Sequence, residues 1–418
     1  TGHVAGKEVV QLYNHAPYTK GGIEKAEVSL IAFDKTDVLQ PGESQVMTLE
    51  VRLEDLASFD YKDANNNQYK GWEIEAGDYE FRLQKNSHDL IEKMSLKLDA
   101  KKLDNDADAT NNTVYSNGDD YDTLINTKAE GTKSKMKLMS RSNFASTFPT
   151  APTLDEKYFG EHLTEILRNA NDRDHAGSQT AEHRYMGNIN GSDDKTTDPW
   201  YKTNADIPAD WTQAATRAEG EKTAVQLQDM AGIDYWDDVT KVKGGAYDGL
   251  TGAKAWEKFM NQLTLDEMKS LLNSGSYSTP GLESVGKDAA SDLDGPAQLS
   301  SGYNFAASVN IASTWNVKLA YERGRVVGND SLFLNVPGWY APSMNIHRSA
   351  FGGRNFEYYS QDAFLSGKIA AQDVKGFQDK GGYAYIKHYA LNNCETDRTG
   401  IATFASEQTI REDYLKTF

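Results

Sequence analysis

The 418-residue sequence contains a single cysteine, and the signatures of several common enzyme classes are missing from it. Cys394 by itself forms neither an intrachain disulfide nor a thiolate cage for a metal ion. There is no HExxH or Cys/His ligand spacing, no GxGxxG or P-loop at a predicted strand-to-helix turn, and no GxSxG elbow. These absences argue against a catalytic zinc, a nucleotide site and a serine hydrolase.

Basic residues are also scarce, with 44 Lys+Arg against 62 Asp+Glu and a formal net charge of −18. This balance disfavours nucleic acids and anionic membrane surfaces, because both are held through Lys and Arg. No window approaches the roughly 18–20 apolar residues that span a bilayer, and the first ten residues lack a signal-peptide pattern. We therefore expect neither nucleic acid nor a membrane as partner, whereas compartment and homo-oligomerisation stay undecided.

Residues 1–98 alternate in the manner of β-strands. The runs EVVQLY, EVSLIAF, SQVMTLEVRL, WEIEAGDYEFRL and KMSLKL are rich in β-branched or aromatic residues and are separated by turn sequences such as Pro41-Gly42. This spacing predicts an antiparallel β-sandwich of immunoglobulin or fibronectin-III type. Because Val9–Tyr13 is typical of an interior strand with almost nothing before it, we expect the first strand of that sandwich to be missing.

Residues 99–255 are polar and rich in Asp and Asn, and we interpret them as a loop and connecting segment with one helix near 158–169. Asp104, Asp106 and Asp108 alternate as calcium ligands do. The Gly and Glu that complete an EF-hand loop are absent, so a solvated acidic loop is the favoured interpretation.

From residue 256 to residue 418 strand and helix patterns alternate, which predicts parallel βα units. A capping box, Thr264 to Glu267, predicts the start of one helix. Further helices and strands are predicted as follows: a helix capped by Asn316, a strand at 339–346, a helix capped by Ser360, a strand at 383–391 and a helix at 406–418.

Polar residues cluster where these strands end, at the edge where ligands bind in parallel βα folds. Carboxylates, guanidinium groups, an ammonium and imidazoles at one edge offer the polarity that a sugar requires. The alternative is ordinary salt bridges between loops. The clustered residues are Asp292, Asp294, His347, Arg348, Arg354, Glu357, Lys387, His388, Asn393, Glu395 and Arg398.

Several of these segments resemble a known family. DGPA, ASTWN, NIHRSAFGGRNFEYYSQD, YIKHYALNNCETDR and EQTIREDYLKTF are similar, in this order, to the first half of the barrel domain of glycoside hydrolase family 3, best known for β-glucosidases. GKEVVQLYNHAP, GGIEKAEVSLIAF and LQPGESQVMTLEVRLEDLASFDY resemble the fibronectin-III-like domain of that family. The order resembles the circularly permuted subgroup, in which the α/β-sandwich and fibronectin-like domains precede the barrel.

The resemblance implies a multidomain fold: a fibronectin-III-like sandwich at 1–98, the connecting segment at 99–255, and the N-terminal half of a (β/α)8 TIM-type barrel at 256–418. It also implies that the chain is an internal fragment. The remainder, in the same polypeptide or a complementary chain, is then expected to carry the α/β-sandwich domain and the second half of the barrel.

The resemblance further implies a sugar site at subsite −1. Asp294 would accept hydrogen bonds from the outer hydroxyls of the sugar and Arg354 would donate to ring hydroxyls. Lys387 and His388 would complete the clamp, and the peptide bond between them is often cis in this family. No metal or cofactor is implied.

Hydrolysis in this family is retaining and uses two carboxylates roughly 5–5.5 Å apart. By resemblance, neither is expected within this chain: the nucleophilic Asp is expected after Phe418, and the acid/base Glu in a domain before Thr1. We therefore expect a glycoside hydrolase of β-glucosidase type whose isolated fragment is inactive.

The expected substrates are terminal non-reducing β-D-glucosyl residues of cello-oligosaccharides or aryl β-glucosides. A β-xylosidase of the same family stays open. The N-acetylglucosaminidase branch is disfavoured because His388 is followed by YALNN. The alternative from another class is a non-catalytic sugar-binding or scaffold module.

Overall fold

The computed structural model describes residues 2–103, 139–144, 225–237, 239–299, 303–395, 398, 403 and 405–418. The helix expected near 158–169 and the aspartates of the acidic loop lie outside these residues.

The N-terminal part contains two antiparallel sheets. Its strands are β1 (Val9–His15), β2 (Ser29–Lys35), β3 (Ser58–Asp60), β4 (Gly71–Ile74), β5 (Gly77–Gln84), β6 (Leu90–Leu98) and β7 (Lys101–Lys102). One sheet has the order β2-β1-β5-β6 and the other β3-β4-β7. The buried side chains of Ala16, Ile31, Leu56, Ile74 and Tyr79 form the core of this part. The alternation in the sequence therefore predicted the β-sandwich correctly.

One predicted strand, SQVMTLEVRL at 44–53, is wrong as a strand, since residues 44–52 belong to no ladder. Its side chains still alternate in burial: Met47, Leu49, Val51 and Leu53 are half-buried and most residues between them are exposed. Val51 and Leu53 pack against the sandwich core. The apolar pattern thus identified the buried face, but a pattern of side chains does not supply a hydrogen-bonding partner for the backbone.

A second core forms around the helices α1 (Gly252–Met260) and α2 (Leu265–Asn273). Residues from both sides of position 256 contribute to it, because Val225, Met230 and Tyr247 pack with Phe259 and Val285. The end of the segment expected to be a connector therefore packs into this core.

The predicted capping box is present at the start of α2. The hydroxyl of Thr264 accepts from the Glu267 amide at 3.2 Å, and the Glu267 carboxylate accepts from the Thr264 amide at 2.8 Å. We expect Thr264→Ala to lower the free energy of unfolding by about 1 kcal/mol, because an amide at the helix start loses its acceptor. Urea unfolding followed by circular dichroism measures this change.

Thr251 provides the matched control. It is the N-cap of α1, but its side chain makes no capping hydrogen bond. Thr251→Ala should therefore change the free energy of unfolding much less than Thr264→Ala. Equal losses in the two variants would show that the capping box contributes nothing specific.

The C-terminal part is built on a sheet with the order β11-β10-β9-β8. Its strands are β8 (Ser278–Thr279), β9 (Ala290–Asp294), β10 (Gly338–Tyr340) and β11 (Tyr383–Ala384). β9, β10 and β11 are parallel, whereas β8 is antiparallel to β9. The helices α3 (Ser308–Ser313) and α4 (Val317–Leu334) connect β9 to β10, and α5 (Ala363–Gln378) connects β10 to β11. These are the parallel βα units that the sequence predicted.

Two details differ from the sequence prediction. Asn316 caps α4, as predicted, but α5 is capped by Asp362, whose carboxylate accepts from the Leu365 amide at 2.7 Å. Ser360 instead accepts from the Asp362 amide and supports the cap.

The ladders of β10 and β11 are also much shorter than predicted. Pro342 has no N–H to donate, so only an isolated bridge between Ser343 and Lys387 continues the pairing.

The two parts pack together through one shared core. Tyr13 of β1 and Leu30 of β2 contact buried side chains from α3 and α5, including Phe364. Phe33 meets Trp315 edge-to-face at 5.3 Å between ring centroids, and Lys35 donates to the Thr314 carbonyl at 2.6 Å. The β-sandwich therefore rests on the helical face of the parallel sheet.

The last element begins at α6 (Glu407–Thr409), capped by Ser406, and continues as a π-helical segment, Ile410–Tyr414. It reaches the β-sandwich, since Glu412 accepts a hydrogen bond from the Phe59 amide at 2.6 Å. Within the described ranges, no helix is both long and apolar enough to cross a membrane.

Candidate functional site

The four residues predicted to form a site lie at the carboxyl edge of the parallel strands. Asp294 is the last residue of β9, Arg354 lies in the segment after β10, and Lys387 and His388 follow β11. Parallel strands end at the same edge, so residues distant in sequence meet there.

Asp294 and Lys387 are in direct contact. The Lys387 ammonium bonds to an oxygen of Asp294 and lies 5.3 Å from the ring centroid of Tyr340. Lys387 is buried, and its backbone is bonded to Pro342 and Met344 on the neighbouring segment. The Asp294 side chain stays 44% exposed. The pair thus presents a carboxylate on the open side with a fixed cation behind it.

Arg354 is held by a buried carboxylate. Its Nε bonds to Glu357, and the second oxygen of Glu357 accepts from the Ser343 hydroxyl at 2.7 Å. Burial alone would raise the pKa of Glu357, but the hydrogen bonds from Arg354 and Ser343 outweigh it and hold that pKa below its usual value. Glu357 is therefore ionised at neutral pH and fixes the guanidinium.

His388 is held through its backbone by Asn345. The amide side chain of Asn345 accepts from the His388 N–H at 2.8 Å and donates to the His388 carbonyl at 2.9 Å. The Lys387–His388 peptide bond is cis. Asn345 thus provides the two backbone hydrogen bonds that a neighbouring strand would otherwise make to His388. These bonds fix the backbone from which the imidazole projects.

The imidazole of His388 lies next to Tyr358, with Nδ1 3.2 Å from the tyrosine hydroxyl. Burial, reinforced by the positive charges of Arg354 and Lys387, lowers the pKa of His388 to about 4. The ring is therefore neutral at pH 7. Burial also raises the pKa of Tyr358 to about 12, so its hydroxyl keeps its proton. The edge consequently offers neutral hydrogen-bonding groups beside charged ones.

A row of tyrosines lies beside Asp294 and Lys387. Tyr340 contacts Tyr277 and Tyr385 with ring centroids 5.0 and 5.9 Å apart, and Tyr385 contacts Tyr383 at 5.4 Å. Tyr383 donates to the buried Asp292 at 2.7 Å. The site therefore combines a polar rim with aromatic surface.

Other polar residues of the same segments serve contacts between loops. His347 bonds to the Tyr358 carbonyl at 2.8 Å, Asn393 bonds to the Tyr414 hydroxyl at 2.7 Å, and Arg348 lies over the Tyr414 ring. Arg398 pairs with Glu395. These four residues therefore make contacts within and between the segments around the site.

Sequence reasoning did not single out Asn345, Tyr340 or Tyr358, and it placed Glu357 in the polar cluster without a role of its own. All four belong to the contacts described above. Asn345 and Glu357 lie within the NIHRSAFGGRNFEYYSQD segment, so their nearness to Arg354 was the available signal. Nothing in the local sequence indicated that an asparagine would bond to a backbone 43 residues away. In the part of the chain that the structure describes, no three His, Cys, Asp or Glu side chains are grouped as a metal site.

Two parts of the chain match known protein families. Residues 8–87 match the fibronectin type III-like domain, and residues 289–418 match the glycosyl hydrolase family 3 N terminal domain. The second match includes all four predicted site residues.

Curated relatives align along the whole chain. β-Glucosidase A of Butyrivibrio fibrisolvens is 31% identical over 433 residues, covering 100% of this chain and 44% of the relative. A β-glucosidase of Ruminococcus albus is 28% identical over 437 residues, covering 100% of this chain and 37% of the relative. The chain thus spans less than half the length of these relatives.

A solved structure has the same fold. The crystal structure of a β-glucosidase from Paenibacillus barengoltzii superimposes on 99% of this chain with a TM-score of 0.61 and 22% sequence identity, over 38% of its own chain.

Proposed function

Since residues 289–418 belong to the N-terminal domain of glycosyl hydrolase family 3, we propose that this chain is the sugar-binding part of a retaining β-glycosidase of β-glucosidase type. The names of its curated relatives support this class of activity.

The observation that carries the proposal is the arrangement of Asp294, Arg354, Lys387 and His388 at one strand edge. Asp294 offers a partly exposed carboxylate backed by Lys387, and Arg354 is oriented by Glu357. Adjacent hydroxyls of a sugar require both acceptors and donors at fixed positions, and charged partners make the stronger hydrogen bonds. The nearby tyrosine rings suit the apolar face of a pyranose.

We propose that residues 256–418 form the N-terminal half of a (β/α)8 barrel. The parallel strands β9, β10 and β11, connected through α4 and α5, support this assignment. The sandwich at 1–98 and the connecting segment at 99–255 complete the proposed division. Sugar binding at the carboxyl edge of the strands agrees with the position of the site in such barrels.

We assign the four site residues to binding rather than to bond cleavage. A retaining mechanism requires a nucleophilic carboxylate and an acid/base carboxylate roughly 5–5.5 Å apart. Asp294 is paired with Lys387, and Glu357 with Arg354. Both carboxylates are thereby occupied in holding cations. As the family resemblance implies, we propose that the nucleophile and the acid/base lie in the remainder of the polypeptide or in a complementary chain.

The proposed substrates are terminal β-D-glucosyl residues of cello-oligosaccharides or aryl β-glucosides. Asp294 presents a partly exposed carboxylate, and a hexose has hydroxyls at both C4 and C6 to donate to it. Xylose has no C6 hydroxyl. If the chain instead belonged to a β-xylosidase, the C6 hydroxyl would contribute nothing to affinity, and xylose and glucose should bind equally.

We expect the 418-residue chain to bind D-glucose in an NMR titration of its tryptophan indole resonances. Asp294→Asn should raise the dissociation constant about ten-fold or more, because it removes a charged hydrogen-bonding partner worth about 1.5–3 kcal/mol. Arg354→Lys, made separately, should also raise it, because the ammonium keeps the charge but lacks the planar fork of donors. Asp288→Asn, an exposed site in the same region, is the control and should bind as the parent chain does.

Three results would contradict parts of this proposal. Unchanged glucose binding in both site variants would exclude the clamp as the site. Equal affinity for D-xylose and D-glucose would exclude the preference for hexoses. Turnover of 4-nitrophenyl β-D-glucoside by the chain alone would show that it holds its own catalytic carboxylates.

A further inference from the structure

The turn that carries Asp294 is held from outside by two side chains. The indole N–H of Trp339 donates to the Gly295 carbonyl at 2.9 Å, and the guanidinium of Arg323 donates to the Pro296 carbonyl. Gly295 has φ +143°, and a Cβ on it would lie 1.4 Å from the Gln298 carbonyl oxygen. The turn is therefore tight and has two anchored carbonyls directly after Asp294.

Arg323 is itself anchored in the interior. It lies on α4, its side chain is 4% exposed, and it pairs with Asp373 of α5, whose side chain is fully buried. The Tyr359 hydroxyl donates to the same Asp373 oxygen at 2.5 Å. The two helices leave Arg323 little room to retract, because a Cβ on Gly324 would lie 2.0 Å from the Asp373 carbonyl oxygen.

Stability alone does not account for this arrangement. A buried ion pair is often no more stabilising than apolar side chains of similar volume. The guanidinium, however, has a planar fork of donors that reaches two acceptors at fixed angles, which neither an apolar side chain nor an ammonium does. Here the two acceptors are the carboxylate of Asp373 and the carbonyl of Pro296.

We propose that Arg323 is a positioning residue for Asp294. It joins the interface between α4 and α5 to the Pro296 carbonyl and thereby holds the Asp294-Gly295-Pro296 turn where Asp294 meets Lys387. The inference rests on the proposed sugar-binding function, because it assigns to Arg323 an effect on the affinity of that site.

The same network reaches the other side of the site. Tyr359 directly follows Tyr358, whose hydroxyl contacts His388. Both tyrosines are buried. The Arg323–Asp373–Tyr359 network is thus connected through the backbone to the imidazole side of the clamp and through Pro296 to the carboxylate side.

The test uses the whole chain carrying Arg323→Met, Asp373→Leu and Tyr359→Phe together. These changes replace the network with apolar groups, so no charge is left buried without a partner. We expect the thermal midpoint not to fall. Hydrogen exchange of the Trp339 indole N–H should accelerate at least ten-fold, because loss of the bond to the Pro296 carbonyl loosens the turn and weakens the indole's bond to the Gly295 carbonyl. The dissociation constant for D-glucose should rise about ten-fold or more, since small misplacements of a binding group are costly.

A second variant, Arg323→Lys, keeps a cation beside Asp373 and tests the role of Arg323 if the triple variant does not fold. It should also accelerate hydrogen exchange of the Trp339 indole N–H and weaken glucose binding, because an ammonium cannot bridge the same two acceptors. Arg325→Met, on the exposed face of α4, is the control and should change neither quantity.

Glucose binding and indole protection equal to the parent in Arg323→Lys, or in a folded triple variant, would overturn the inference. So would lost indole protection with unchanged glucose affinity. If the parent chain itself fails to bind D-glucose, the proposed function fails. The indole exchange rate still decides whether Arg323 holds the turn.

Discussion

Replacing Glu412 by glutamine is expected to raise the free energy of unfolding by about 3 kcal/mol above pH 7 and to change it little below pH 5. Glu412 is partly buried where the C-terminal helical segment meets β3, and desolvation there raises its pKa from 4.5 to about 7. Hydrogen bonds from the Phe59 amide and the Gln408 side chain lower the pKa only in part. The carboxylate is therefore costly in the folded chain.

The sign follows from proton binding. Between pH 4.5 and 7 the folded chain keeps the Glu412 proton and the unfolded chain releases it, so stability falls as pH rises through this range. One unit of pKa corresponds to about 1.4 kcal/mol, which gives about 3 kcal/mol for the full difference. Glutamine preserves an acceptor for the Phe59 amide and has no charge, so the variant should escape this loss.

Urea unfolding of parent and variant at pH 5 and pH 8 measures the effect. Glu50→Gln removes the same charge from an exposed position and is the matched control, expected to show no such pH-dependent gain. A Glu412→Gln variant that is destabilised equally at both pH values would contradict the prediction. The glutamate side chain would then stabilise the folded chain more than glutamine does, both at pH 5 and at pH 8.

The second large effect concerns two neighbouring residues of β2 that face different cores. Leu30 packs in the core shared with α3 and α5, whereas Ile31 packs inside the β-sandwich. Each side chain is almost fully buried, so Leu30→Ala and Ile31→Ala should each cost about 2–5 kcal/mol. The two losses should nevertheless appear in different places.

Native-state hydrogen exchange distinguishes them. Leu30→Ala should accelerate exchange of amides in α5, because it removes packing against Phe364 and its neighbours. Ile31→Ala should accelerate exchange mainly in β4 and β5, which contribute Ile74 and Tyr79 to the sandwich core. If both variants accelerate the same amides to the same extent, the two cores belong to one unfolding unit and the predicted separation is wrong.

Local patterns were informative about elements and their ends. Alternation identified the sandwich strands, and Thr264 and Asn316 were recognisable as caps because capping is decided by neighbouring residues. Prediction was weaker where two signals competed. Ser360 and Asp362 are both capping residue types, and only the path of the chain into α5 selected Asp362.

The candidate site shows the same division. Residues Asp294, Arg354, Lys387 and His388 were identified from motifs, and their place at one edge followed from the parallel strands. Their partners were not predictable, because Asn345 lies 43 residues from His388 and Pro296 lies 27 residues from Arg323. Contacts of this kind depend on which elements become neighbours.

The sequence by itself determined which kinds of side chain lie at the strand edge, since side-chain type and turn position are local properties that survive in a motif. It also determined the order of the β-sandwich and the βα units. Only the tertiary structure decided which groups are paired: Asp294 with Lys387, Glu357 with Arg354, and Arg323 with both Asp373 and Pro296. The reason is physical, because burial makes an unpaired charge costly and the packing of distant segments determines which partner is within reach.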